Sequence, residues 1–185
     1  MSNDDYISCY DAGQFIDYSP ENGEFIWKRR DACHFRAEKF QKIWNTKFAG
    51  KSAGCFRADG YRVIRLHDKL YLGHRLAWAL HFGEWPDKFI DHIDGNPSNN
   101  MIENLRIVNR YGNNTNCKIK GNNTSGCTGV WWHSANRKWI AEIKSHGKKT
   151  HIGSFANLHD AANARKAAEL ENGFHPNHGR LATNV

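Results

Sequence analysis

Asp91 and His92 stand side by side in a short apolar-flanked run, Phe89–Ile93, and Asn104 and Asn113 follow downstream. A carboxylate and an amide oxygen are hard ligands suited to Mg²⁺, which takes few protein ligands and completes its shell with water and phosphate oxygens. A neighbouring imidazole can serve as general base on a water while the ion stabilises the leaving oxygen. Phosphodiester hydrolysis is the chemistry these residue types allow. Alone, an Asp-His pair is usually structural and a lone Asn is an ordinary helix-terminus residue. Their joint spacing is what carries weight.

Such residues need elements to bring them together. Strands predicted at Phe89–Ile93 and Leu105–Val108 bracket a polar loop, in which Asp94-Gly95-Asn96-Pro97 reads as a turn and Asn99 and Asn100 as loop hydrogen-bonders. Asn109 is predicted to cap a short helix carrying Asn113. Upstream, Glu24–Lys28 reads as a strand after a turn at Ser19–Gly23, and Tyr61–His67 as a strand that pairs with Lys69–Leu72 through a hairpin. Gly73–Phe82 has helical spacing and stops at Gly83, which puts His74 and Arg75 in its first turn. Arg75 has two readings, a planar fork on a phosphate oxygen or an ion pair within the fold. Residues 30–50 mix charge and aromatics without a period, and no element is assigned to them.

The stretch Asp91-His92-x-Asp94-Gly95-Asn96-x-x-Asn99-Asn100-x-x-x-Asn104-Leu105-Arg106-x-Val108, with Asn113, resembles the His-Asn-His (HNH) nucleases, in particular their phage and intron-encoded homing endonuclease branch. His74-Arg75-Leu76-Ala77-Trp78 before Gly83-x-Trp85-Pro86 extends the likeness, which covers roughly residues 12–117. The resemblance implies a ββα-metal site. In it Asp91 and Asn113 would bind one Mg²⁺ (or Mn²⁺) per active site together with the scissile phosphate. His92 would be the general base, and Asn104 would brace the loop and orient His92. Asn113 stands where many relatives carry His, which keeps an oxygen ligand and favours hard ions.

After the polar junction Cys117–Gly126 the pattern changes. Thr128–His133, Lys138–Lys144 and Lys149–Ser154 are predicted strands, and an alanine-rich helix opens at Asn157, with Asp160 placed as in a capping box, and runs to about Glu171. Ala161, Ala162, Ala164, Ala167 and Ala168 are expected to let this helix lie close on the sheet. Alternation turns Val130, Trp132, Trp139, Ala141, Ile143 and Ile152 toward the helix. It turns Trp131, His133, Lys138, Glu142, Lys144, Lys149 and His151 outward, giving a basic, partly aromatic face suited to phosphates and base edges. Ser125-Gly126, Gly129-Val130, Trp139-x-Ala141-Glu142-Ile143, Gly153-x-Phe155, Ala161-Ala162 and Ala167-Ala168 resemble the plant ethylene-response-factor (Apetala-type) DNA-binding domain over residues 122–180. That likeness implies a sheet that enters the major groove, although Thr128, Trp131 and His133 replace arginines of the plant proteins.

Composition bounds the rest. The 185 residues carry a formal charge of +7, of which residues 118–185 hold +6, so a polyanion partner is expected for the C-terminal part. Five cysteines without a CxxC pair argue against a disulfide framework and a thiolate zinc site. No apolar run spans a membrane, and the acidic N-terminus has no signal-peptide core. The expected architecture is α+β: a nuclease domain over 1–117, a linker at 118–125, and a three-stranded antiparallel sheet with one helix over 126–185. The expected partner is double-stranded DNA, with no membrane, no obligatory protein partner, and a monomer or homodimer working in the cytoplasm. A non-catalytic DNA-binding regulator on a degenerate nuclease fold is the alternative.

Overall fold

A computed structural model of the chain describes residues 6–109 and 115–180. It is mixed α+β and divides into two compact units, residues 1–107 and 108–185. Among the described residues no helix is long and apolar enough to cross a membrane, and the five cysteines form no disulfide.

In the first unit α1 (Cys9–Phe15) leads into the antiparallel pair β1 (Ile16–Ser19) and β2 (Glu24–Trp27). Residues 30–50, which lack a sequence period, contain a 3₁₀ turn (Ala32–His34) and α2 (Glu38–Phe48). Strands β3 (Cys55–Phe56), β4 (Arg62–Leu66) and β5 (Lys69–Leu72) form an antiparallel sheet. The β4–β5 hairpin turns on His67 and Asp68, both at positive φ. Helix α3 (Gly73–Phe82) starts directly after β5 and ends on Gly83 at φ 77°, a left-handed cap that glycine adopts without a Cβ clash. Strands β6 (Phe89–His92) and β7 (Leu105–Val108) pair across the loop that the sequence predicts. Phe25, Ile16, Ile64, Leu66, Leu76 and Ala77 are the buried heart of this unit, with Ile90 and Leu105 joining it from β6 and β7. Arg62 is buried among them and donates to the carbonyls of Ala53 and Phe25 and to Glu24, so it ties β4 to β2.

The second unit holds β8 (Val130–His133), β9 (Lys138–Ser145) and β10 (Lys148–Phe155) in the antiparallel order β10-β9-β8, with α4 (Leu158–Glu171) against them. Asn157 caps α4 by accepting from the Asp160 backbone N–H at 2.9 Å. The linker expected at 118–125 is not a bare connection. Ile119 N–H donates to the Arg180 carbonyl, Gly179 N–H to the Cys117 carbonyl, and Arg180 to the Asn116 carbonyl, so residues 116–119 belong with the chain's end.

Two expected packings differ. The buried stripe of α4 is Ala161, Arg165 and Glu169, a strict four-residue step, while Ala167 is exposed. The apolar core beneath is small, namely Val130, Ala141 and Ala161 with Trp139, Ile152, Phe155 and Leu158. A buried ion pair therefore lies where a larger core would put leucines: Arg165 Nη2 lies 3.3 Å from Glu169, and Arg165 Nε donates to the Thr128 carbonyl. Gly129, at φ 76°, is the residue that lets this happen, because a Cβ there would sit 2.6 Å from Arg165 Nε. Trp132 does not lie under the helix. It is 45% exposed and packs edge-on against Trp139 at 5.3 Å, because α4 lies over β9 and β10 more than over the edge strand β8.

Removing one member of a buried ion pair strands the other charge, at a cost of about 3–5 kcal/mol. Glu169→Ala is expected to lower the denaturant midpoint of the second unit, followed by tryptophan fluorescence, by a corresponding amount. A midpoint within experimental error of wild type would show that Arg165 is sustained without Glu169.

Candidate active site

Strand β6 carries Asp91 and His92 into the protein, so both are buried although both are polar. The turn that follows is built from side chains meeting backbone. Gly95, at φ 72°, donates its N–H to the His92 carbonyl at 2.8 Å. Asp94 accepts from the Asn96 N–H, from Asn99 Nδ2 and from Asn104 Nδ2, at 2.7, 2.7 and 3.0 Å. Burial works against its ionisation, but these hydrogen bonds outweigh it and hold the Asp94 carboxyl below the ordinary range.

Asn104 ends the 3₁₀ turn Ile102–Asn104 and returns three hydrogen bonds to the loop: its Oδ1 accepts from the Asp94 N–H, and its Nδ2 donates to Asp94 and to the Asn99 carbonyl. These bonds tie the loop to the start of β7. The second half of its expected role, a bond orienting His92, belongs to a different amide. Asn100 Oδ1 lies 3.4 Å from His92 Nε2. Asn100 is 1% exposed, its carbonyl accepts from the Tyr18 hydroxyl at 2.7 Å, and its backbone lies against Gly23, where a Cβ would come within 2.6 Å. The sequence distinguishes the two neighbours poorly, since Asn99 and Asn100 are the same residue type one position apart.

His92 also meets rings. His74, in the first turn of α3, crosses it edge-to-face at 5.1 Å, and Tyr61 lies 5.9 Å away. Burial, the neighbouring His92 and Arg75 push His74 down to about 3. Burial also lowers His92, against the raising effects of the Asn100 bond and of Asp94 and Asp91. Both imidazoles are thus pushed toward the neutral form, which is the form a general base needs.

Arg106, on β7, grips Asp91 Oδ2 with Nε at 3.0 Å and Nη2 at 2.7 Å. Both contacts fall on one oxygen of the carboxylate. One carboxylate oxygen and one amide oxygen fit Mg²⁺, which asks for few protein ligands. Asn113, the expected second ligand, lies outside the described residues. Among the described residues no group of three or more His, Cys, Asp and Glu side chains is arranged to hold a metal.

Residues 71–115, which span this loop and its flanking elements, match the family model described as HNH endonuclease. Protein 3.8 of Escherichia phage T7 is 35% identical over 82 residues, covering 44% of this chain and 68% of that protein. The chain belongs to the family of Protein 3.8. It carries an HNH endonuclease domain, and no solved structure matches it.

Outside the HNH domain's loop the candidate residues fall in two groups. Arg75 is engaged with the fold: its Nη2 donates to the Pro86 carbonyl at 2.7 Å, its Nη1 to the Lys88 carbonyl at 3.1 Å, and its guanidinium lies over Tyr6. In the second unit Trp131, His133, Lys138, Lys144, Lys149 and His151 are exposed on the sheet. Glu142 is mostly covered and paired with Lys149, which also lies over the Trp131 ring at 5.2 Å. That face is less open than alternation implies, because Ile140, paired with Trp131, is buried there.

Asn100→Ala removes the bond that raises His92, so the His92 imidazole is expected to titrate lower still, in an NMR pH titration of the ring. It also leaves a buried partner unsatisfied, at about 1–3 kcal/mol. A His92 pKa that rises toward the ordinary value would contradict the assignment of Asn100.

Proposed function

We propose that the chain is a metal-dependent HNH endonuclease that hydrolyses phosphodiester bonds in double-stranded DNA, as a nick or a double-strand cut. The observation that carries this reading is a buried His92 beside Asp91, inside the segment that matches the HNH model, where burial favours the neutral imidazole. With its proton on Nε2, facing Asn100, His92 takes a proton from water through Nδ1. Asp91 and Asn113 would hold one Mg²⁺ or Mn²⁺, and the ion would supply electrostatic stabilisation of the phosphate and the leaving oxygen. Asn104 fixes the loop and Asn100 the ring. Arg106 holds the Asp91 carboxylate in one orientation.

The second unit acts as an ethylene-response-factor-like DNA-binding domain. Its exposed Lys138, Lys144 and Lys149 meet phosphates, with Trp131, His133, Glu142 and His151 nearer the bases. Tethering a catalytic unit to a binding unit raises its effective concentration at the target without new catalytic contacts. Homing-type activity in a host cytoplasm follows from the resemblance to phage and intron-encoded enzymes. The competing reading, a non-catalytic DNA-binding regulator, draws on the Arg106–Asp91 pair, which neutralises a carboxylate that a cation would otherwise use.

Supercoiled plasmid with Mg²⁺, Mn²⁺ or EDTA decides between them. Metal-dependent open-circle or linear product is expected, lowered about 10²–10⁴-fold in His92→Ala with DNA affinity nearly unchanged. DNA binding without cleavage under any metal would establish the regulator. Neutralising Lys138 and Lys144 in the His92→Ala chain should lower the slope of log affinity against log salt by about 0.9 for each phosphate that loses its cationic partner. An unchanged slope would remove the second unit from the DNA interface.

A further inference from the structure

The near-even charge of residues 1–117, a net of +1, conceals a sharp division. Residues 28–51 carry eight basic and two acidic side chains, a net of +6, so the rest of that stretch is at −5. Most of it is the stretch 30–50, which shows no sequence period, and the structure gives that stretch a defined mount. Asn45, buried on α2, accepts from the Arg30 N–H and donates to the Arg30 carbonyl, at 2.9 and 3.0 Å. The Arg30 guanidinium lies 3.9 Å over Trp44 and within 5.2 Å of Trp27 and Phe15. Gln41, Trp44, Asn45 and Phe48 form the inner face of α2, at helical spacing.

The outer face is left to Lys39, Lys42, Ile43 and Lys47, all exposed, with Ile43 62% exposed. Lys42 has an exposed partner in Glu38, while Lys39 and Lys47 each lie over the ring next to them, Phe40 and Phe48. Eight residues separate Lys39 from Lys47, about 12 Å along a helix axis. That is about three to four rises of one DNA strand at 3.4 Å each. An acidic remainder repels a polyanion, so a nuclease unit of this composition needs its own cationic surface to approach one.

We infer that the outer face of α2 is a second nucleic-acid contact surface, in which Lys39 and Lys47 bind phosphates of duplex DNA. The choice of duplex DNA as occupant rests on the nuclease reading; the charge complementarity does not. The surface gives the catalytic unit a hold on substrate that is separate from the sheet of the second unit.

The test measures binding rather than cleavage, in the full-length His92→Ala chain. Lys39→Gln/Lys47→Gln is compared with Lys69→Gln/Lys88→Gln, which removes the same charge from exposed positions of the same unit. Affinity for a labelled duplex is followed from about 50 to 200 mM salt. The α2 pair should lower the salt slope by about 1.8, at about 0.9 per neutralised phosphate, and the control pair should leave it near its starting value. An unchanged slope in the α2 pair, or an equal drop in both pairs, overturns the inference. A drop seen only on single-stranded DNA or RNA overturns the duplex assignment. If plasmid cleavage by the wild-type chain fails while the α2 slope falls, the nuclease reading fails and the binding surface stands.

Discussion

The stretch Asp94–Asn100 is mostly Asp, Asn and Gly, so hydrogen bonds rather than apolar packing must hold its shape. Asn100 makes several of them. Its carbonyl takes the Tyr18 hydroxyl from β1, its Oδ1 faces His92 on β6, and its Nδ2 donates to Ser98 within the loop. Two glycines permit the approach: Gly23 lies against its backbone, and a Cβ on Gly73, at the start of α3, would stand 3.3 Å from its Nδ2. The Ile102 N–H adds a bond to the Pro20 carbonyl. The β1–β2 hairpin, the α3 N-terminus and the β6–β7 loop thus converge on one buried amide. The position of the His92 ring depends on all three.

Burial then sets the chemistry. A histidine in water is poised to titrate near neutral pH, and desolvation moves it toward the neutral form. His74 and His92 are pushed the same way and pack against each other, both toward the uncharged form. Within the first unit the positive charge lies instead with Arg106 on Asp91 and with the exposed lysines of α2. Exposed lysines cost little to solvate, whereas a charged imidazole buried at His92 or His74 would cost much more.

Much of this was legible in the sequence because it rests on local signals. The β4–β5 hairpin, α3 with its Gly83 stop, β6, β7 and the three strands of the second unit follow from alternation, helical spacing and turn residues. The Asp91-His92 pair and the bracing role of Asn104 follow from spacing within the HNH pattern. What was not legible depends on contacts distant in sequence. α2 is mounted through Asn45 and a guanidinium packed on rings, so its inner face is half polar and shows no hydrophobic period. The α4 stripe uses Arg165 and Glu169, which any pattern of apolar residues assigns to solvent. The distinction between Asn99 and Asn100 is made by Tyr18, more than eighty positions away.

Arg106 connects the two levels. It follows Asn104 by two residues, so the strand that begins at the bracing amide also delivers the cation that grips Asp91. A guanidinium bound through Nε and Nη2 to one carboxylate oxygen fixes that carboxylate's rotation, and a fixed carboxylate presents its other oxygen in one direction only. The carboxylate shares its charge with the arginine and gains a defined orientation. The loop's hydrogen bonds and the strand's arginine are thus two halves of one device, each holding a neighbouring residue of the Asp91-His92 pair.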